Sequence, residues 1–108
     1  MAALTAEVGD DGVVVLAGDL TGTAEQTLTQ AYDEASAAGT VVLDFTSLEY
    51  MNSTGIGLLV TTLVRAQRAN VTLMAAGLSD HYREIFSLTR LDEAIPVHDT
   101  PGEALASA

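Results

Sequence analysis

A nearly unbroken apolar run, Val41-Val42-Leu43-Asp44-Phe45, limits the fold of this chain more than any other feature. Apolar residues that are continuous rather than alternating are typical of a strand covered on both faces. Such strands occur in parallel sheets, whose connections are helices that pack over the sheet. The run therefore predicts an α/β protein with this strand at the centre of its sheet.

Other strand patterns lie on both sides of this run, at residues 4–8, 13–17, 71–75 and 94–97. The turn at residues 9–12 joins the first two, so we expect a hairpin there. Helical patterns separate the later strands, and the order β-β-α-β-α-β-α-β-α predicts a mixed, mostly parallel sheet of about five strands with about four helices. Because no linker or repeat interrupts this order, we expect residues 1–108 to form a single domain.

The first helix is predicted from small residues that recur at three- and four-residue steps. Thr23 and Gln26 have the spacing of a capping box, and Gly39 is a typical residue for ending the helix. The predicted buried face consists of Ala24, Leu28, Ala31, Ala35 and Ala38.

The second helix is predicted over residues 54–69, with a buried face of Ile56, Leu59, Val60 and Leu63. Asn70 can end it in the left-handed conformation. A shorter helix capped by Ser79 and a terminal helix that begins at Thr100-Pro101 complete the prediction.

Composition excludes several classes of function. The chain has no cysteine, and its 15 acidic residues outnumber 4 basic ones, all arginine, to give a net charge of −11. Disulfides, cysteine–metal sites and lysine chemistry are therefore excluded, and nucleic acid would be repelled. There is no apolar run long enough to span a membrane and no signal-peptide pattern, so we expect a cytoplasmic protein. His81 and His98 have no partners at metal-binding spacing, and we expect no metal and no cofactor.

The segment after the central strand carries the functional signal. It ends in Asn52-Ser53-Thr54-Gly55-Ile56-Gly57, which places hydroxyl groups where the second helix begins and two glycines in its first turns. Glycine weakens a helix by about 1 kcal/mol relative to alanine, so stability alone does not explain these two. Either Ser53 is an N-cap and the glycines ease packing on the sheet, or the serine is exposed for modification at a helix N-terminus.

These residues resemble the "Asp-Ser-Ser/Thr-Gly-Leu/Ile-Gly" motif of the bacterial anti-sigma factor antagonists, a branch of the STAS domain superfamily. In that family the motif follows an aliphatic strand that ends in Asp, as Asp44 does here. The resemblance extends over most of the chain, through Gly18-Asp19-Leu20, Gly77-Leu78-Ser79 and Phe86-Ser87-Leu88-Thr89-Arg90-Leu91. One residue departs from the motif: Asn52 stands in place of its aspartate.

The resemblance implies a partner switch and no enzyme activity. Ser53 matches the phosphorylated serine of the family. The unmodified protein would bind an anti-sigma factor that is also a serine kinase and so free the sigma factor. Phosphorylation of Ser53 would then release the complex, and a serine phosphatase would restore the binding form. We expect the contact surface at Tyr50, Met51, Asn52, Ser53, Thr54 and Gly57.

Other functions remain open on the sequence. The same fold serves as a regulatory subunit of transporters or sensory complexes that acts without phosphorylation. It also occurs as a small-ligand binding module, and a small enzyme is a third alternative.

Overall fold

The computed structural model describes residues 2–108. The strands are β1 (Thr5–Val8), β2 (Val13–Leu20), β3 (Thr40–Met51), β4 (Thr72–Ala76) and β5 (Val97–His98). The helices are α1 (Glu25–Ala35), α2 (Ser53–Arg68), α3 (Asp80–Leu88), α4 (Leu91–Ala94) and α5 (Pro101–Ser107). In residues 2–108, no helix is both long and apolar enough to cross a bilayer.

The five strands form one sheet in the order β1-β2-β3-β4-β5. β1 and β2 form the predicted antiparallel hairpin, and all later neighbours are parallel. The predicted α/β fold with a mixed, mostly parallel sheet is therefore confirmed, with β3 at its centre. Because β2, β3 and β4 run in the same direction, their carboxyl ends lie at one edge of the sheet.

Burial along β3 explains its unbroken apolar sequence. Val41, Val42 and Leu43 are each 1% exposed or less. Val41 and Leu43 belong to the main core, together with residues of α1, α2 and α3. Val42 belongs to a second, smaller cluster on the other face, where it packs with Met74 and with Ala104 of α5. Helices thus cover both faces of the strand at this point, as its sequence predicts.

Two strands are longer than the sequence indicates. β2 continues to Leu20 and β3 continues to Met51, and these two end residues are register partners. The sequence predicts a strand only from Val41 to Phe45, with a loop after it. Pairing with β2 holds the segment after Phe45 in an extended conformation, with two register irregularities along the way.

The first helix differs from its prediction at both ends. Thr23 lies in a short 3-10 turn (Gly22–Ala24), and α1 has no side-chain cap, so the predicted capping box is wrong. The Thr23 hydroxyl instead lies 3.2 Å from that of Thr21. Ala38 is exposed because it follows the end of α1, whereas Tyr32 is buried on the face that packs on the sheet.

The second helix begins and ends one residue earlier than predicted, and its buried face is shifted. Leu59 is fully buried, while Val60 is 42% exposed, so its assignment to the buried face is wrong. Thr62 takes a buried place instead and donates its hydroxyl to the Leu58 carbonyl at 2.8 Å. Asn70 ends the segment with a φ of 56°, as expected for a left-handed cap.

The last third of the chain keeps its predicted caps. The Ser79 hydroxyl accepts from the Tyr82 N–H, and the Thr100 hydroxyl accepts from the Glu103 N–H. The strand predicted at residues 94–97 is wrong in its first part, because Leu91–Ala94 forms the short helix α4. Only Val97–His98 pairs with β4.

Candidate functional site

The sequence motif lies where β3 leads into α2, at the carboxyl ends of the parallel strands. The Asn52 N–H donates to the Leu20 carbonyl at 3.3 Å, which holds the start of α2 against the end of β2. In parallel α/β sheets this edge is the usual place for ligands and partners, because loops and helix N-termini meet there.

Asn52, rather than Ser53, caps the helix. Its side-chain oxygen accepts from the Gly55 N–H at 2.9 Å, and its carbonyl accepts from the Ile56 N–H at 3.0 Å. The interpretation of Ser53 as the N-cap is therefore wrong. Because Asn and Asp are equally good caps, the departure from the family motif leaves the helix start intact and removes one negative charge.

Ser53 is the first residue of α2 and its side chain is exposed. The N–H groups of Ser53 and Thr54 have no acceptor within the helix, because four backbone donors at any helix start lack one. The helix dipole adds a partial positive charge at the same place. A phosphate on Ser53 would therefore meet free donors and a favourable field.

The two glycines of the motif have different surroundings. A Cβ on Gly55 would lie 2.0 Å from the Leu20 carbonyl oxygen, so only glycine fits between α2 and β2. A Cβ on Gly57 would meet nothing within 4 Å. Packing on the sheet thus explains Gly55, whereas Gly57 leaves an open, flat place on the outer face of α2.

The predicted contact residues divide into surface and core. Tyr50 is 48% exposed, while Met51 is only 5% exposed and belongs to the main core. The Met51 N–H donates to the Tyr82 hydroxyl at 2.9 Å, which ties the end of β3 to α3. Met51 therefore positions its neighbours, and the other five residues line the surface.

Sequence reasoning missed an exposed apolar stripe on α2, formed by Gly57, Val60 and Val64. Val60 and Val64 are 42% and 38% exposed, and they follow Gly57 at three- and four-residue steps. We call these three residues the α2 stripe. The helical period alone could not assign it, since Leu59 and Val60 are adjacent and equally apolar, and only contact with the sheet decides which is buried.

Other neighbours of the site came from outside the motif. Asp19 is the register partner of Tyr50, and a Cβ on Gly22 would lie 3.1 Å from the Thr54 methyl group. Arg65 lies in the last turn of α2, where it pairs with Asp33 at 2.6 Å, about 18 Å along the helix from Ser53. Across residues 2–108, no three His, Asp or Glu side chains come together as a metal site would require.

The sequence matches the family described as "Mlab, STAS domain" over residues 3–97. The chain belongs to the STAS domain family. The resemblance noted from the motif is therefore confirmed.

Relatives of this STAS domain include anti-sigma factor antagonists. Over 61 aligned residues it is 33% identical to the anti-sigma-B factor antagonist of Listeria monocytogenes. The aligned segment makes up 56% of this chain and 54% of that protein. The match thus spans about half the length of this curated relative.

Solved structures support the fold over nearly the whole chain. An anti-sigma factor antagonist from Mycobacterium paratuberculosis gives a TM-score of 0.79 at 25% identity, covering 97% of this chain and 93% of the other. The Bacillus cell fate determinant SpoIIAA, solved in the phosphorylated form, gives a TM-score of 0.69 at 22% identity, covering 97% and 98%. At 22% identity, the similarity to SpoIIAA supports the fold alone.

Proposed function

We propose that this STAS domain is an anti-sigma factor antagonist that binds an anti-sigma factor and so frees a sigma factor. The observation that carries the proposal is that exposed Ser53, the first residue of α2, lies on the same helix face as the exposed α2 stripe. The names of the relatives point to the same role. The protein acts in the cytoplasm, by contact rather than by catalysis.

The contact surface consists of Tyr50, Ser53, Thr54 and the α2 stripe. An exposed tyrosine beside two exposed valines offers the aromatic and apolar area that interface centres use. Gly57 lets a partner approach the helix backbone closely, because a Cβ there would fill otherwise open space. Asn52 and Met51 hold this surface in place, through the cap and through the core.

Phosphorylation of Ser53 would end the contact. The anti-sigma factor, acting as a kinase, transfers the γ-phosphoryl group of ATP to the Ser53 oxygen. ADP leaves, the hydroxyl proton is released, and a phosphatase later hydrolyses the ester. In the free domain the phosphate sits against the open N–H groups of α2. In the complex its added charge of up to −2 would be desolvated against a surface that fits a neutral hydroxyl.

The binding test uses the unmodified protein, Ser53→Asp and Ser87→Asp, with the partner captured and then titrated. Ser87 is exposed on α3 and supplies the same charge change away from the site. We expect Ser53→Asp to weaken binding about a hundredfold, which corresponds to about 3 kcal/mol, and Ser87→Asp to leave it unchanged. Equal binding by all three proteins would refute the switch and favour a regulatory subunit that acts without phosphorylation.

A second variant locates the interface independently of the phosphate. Gly57→Arg should abolish partner binding because the new side chain would occupy the open place on α2. Gln67→Arg is the matched control, since Gln67 is exposed at the far end of the same helix. Unchanged binding by Gly57→Arg would move the interface elsewhere.

The kinase test uses the partner with ATP, read by intact mass. Ser53→Ala should take up no phosphate; modification that persists would move the acceptor, first of all to Thr54. Asn52→Asp keeps the cap but restores the motif charge, so it should change the rate of phosphorylation more than the affinity of the unmodified protein. An equal effect on both would contradict this division of roles.

A further inference from the structure

A second surface lies along β1, which is an edge strand of the sheet formed within residues 2–108. β1 is the first strand in the sheet order and pairs with β2. The Gly9 N–H donates to the Val13 carbonyl at 2.9 Å, and hydrogen-bonded pairs alternate along an antiparallel ladder. The register then places Thr5 and Glu7 at positions bonded to β2. The N–H and C=O groups of Ala6 and Val8 therefore point away from the sheet.

A groove runs beside these free backbone groups, between β1 and α1. Two cavities of about 230 and 200 Å³ both have Val8 and Glu34 in their walls, so they adjoin each other along β1. Two small residues of α1, Ala31 and Ala35, leave this space open. We call these two adjoining cavities the β1 groove. The groove and the outward backbone groups of β1 beside it suit an extended peptide, which adds to a sheet edge through main-chain hydrogen bonds.

The charge around the groove selects the kind of peptide. Asp10 and Glu34 lie in its walls, and the first 64 residues contain acidic residues and no basic one. With a net charge of −11, a second copy of this chain would be repelled. A segment with lysine or arginine would be attracted and oriented.

We propose that the β1 groove binds an extended, basic segment of a partner protein, which pairs with Ala6 and Val8 as a sixth strand. On the face of the segment toward α1, small apolar side chains enter the groove and basic ones reach Glu34 and Asp10, while the alternate side chains face the other way. The groove reaches the turn after β1 and the last turn of α1, at the end of the sheet opposite Ser53. The proposal is therefore independent of the proposed function, and both surfaces could be occupied together.

The test is amide hydrogen exchange by NMR on the full chain, with the synthetic octapeptide Val-Thr-Arg-Thr-Val-Thr-Arg-Thr as the probe, in which valine and arginine share one face of the strand. Saturating peptide should slow exchange at Ala6 and Val8 at least about tenfold, because these amides gain acceptors. Thr5 and Glu7, which already donate to β2, should change little. Uniform slowing along β1, or none, would overturn the proposal.

Two substitutions check the chemistry by titration with the same peptide. Glu34→Lys should weaken binding about tenfold at low salt, whereas Glu84→Lys, exposed on α3, should have little effect. Ala6→Pro removes one outward donor that β2 does not use, and it should weaken binding in a protein that still folds. Equal losses for Glu34→Lys and Glu84→Lys would show general charge attraction, and unchanged affinity in every variant would place the peptide elsewhere; either result refutes the groove. Protection of Ala6 that rises with protein concentration alone would identify a second copy as the occupant, which also refutes it.

Discussion

Alanine at the two motif glycines should change stability in opposite directions, although the substitutions lie two residues apart on one helix. At Gly57 the added Cβ meets nothing within 4 Å, so only the helix propensity counts. Alanine is about 1 kcal/mol better than glycine inside a helix, so Gly57→Ala should stabilise the fold by about that amount.

At Gly55 the same propensity gain is opposed by a clash. The new Cβ would lie 2.0 Å from the Leu20 carbonyl oxygen, which is backbone and part of a paired strand. Relief requires α2 and β2 to separate by roughly 1 Å or more, and forced repacking of this kind costs about 1–3 kcal/mol or more. A 2.0 Å contact with backbone places the cost at the upper end of this range, so after subtraction of the propensity gain of about 1 kcal/mol we expect Gly55→Ala to be destabilising by about 2 kcal/mol overall.

Urea unfolding followed by circular dichroism measures both effects. With a slope of about 1–1.5 kcal/mol per molar for a chain of this size, Gly57→Ala should raise the midpoint by about 0.5–1 M and Gly55→Ala should lower it by about 1–2 M. Midpoints that move in the same direction would refute the assignment of Gly55 to the contact with β2.

Three further predictions concern the core, the cap and a buried phenol. Leu59→Ala should lower the free energy of unfolding by about 2–5 kcal/mol because Leu59 is fully buried, whereas Val60→Ala should lower it by under about 0.5 kcal/mol. Urea midpoints measure both changes, and equal losses would contradict the placement of α2. Asn52→Ala should lose about 1 kcal/mol with its bond to the Gly55 N–H, and Asn52→Asp should lose almost nothing, as thermal unfolding would reveal. Burial raises the pKa of the Tyr32 phenol, an effect that the Arg65 guanidinium partly opposes. As the pH rises, Tyr32 therefore ionises in the unfolded chain before it does so in the folded one. Its contribution to the free energy of unfolding is fully present below pH about 10 and is lost as the pH rises above that value. Urea midpoints across that range should fall more steeply for the wild type than for Tyr32→Phe; parallel curves would contradict the shift.

The sequence predicted helix ends correctly where a single residue supplies a cap or a left-handed backbone conformation. The caps at Ser79 and Thr100 and the left-handed Asn70 are all observed. Each depends on a bond or a torsion within a few residues, which the local sequence specifies. The predicted capping box at Thr23 is wrong because the connection from β2 to α1 forms a 3-10 turn, and Thr23 lies within that turn.

Distant pairing decided the limits of the strands and the role of Asn52. The polar end of β3 is a strand because β2 lies beside it, and pairing partners are separated by about thirty residues in the sequence. That same extension sets the point at which α2 begins. It makes Asn52 the cap and leaves Ser53 exposed as the first helical residue.

The sequence by itself determined the α/β order, the central strand and the position of the motif, because hydrophobic periodicity and capping act locally. Only the tertiary structure decided which of Leu59 and Val60 is buried, which glycine is required by contact, and that Ala6 and Val8 form a free edge. Periodicity assigns a helix face to within about one residue, since neighbouring positions are 100° apart and both can be apolar. The exact direction of α2 on the sheet, set by the approach of Gly55 to the Leu20 carbonyl, turns Val60 outward beside Ser53.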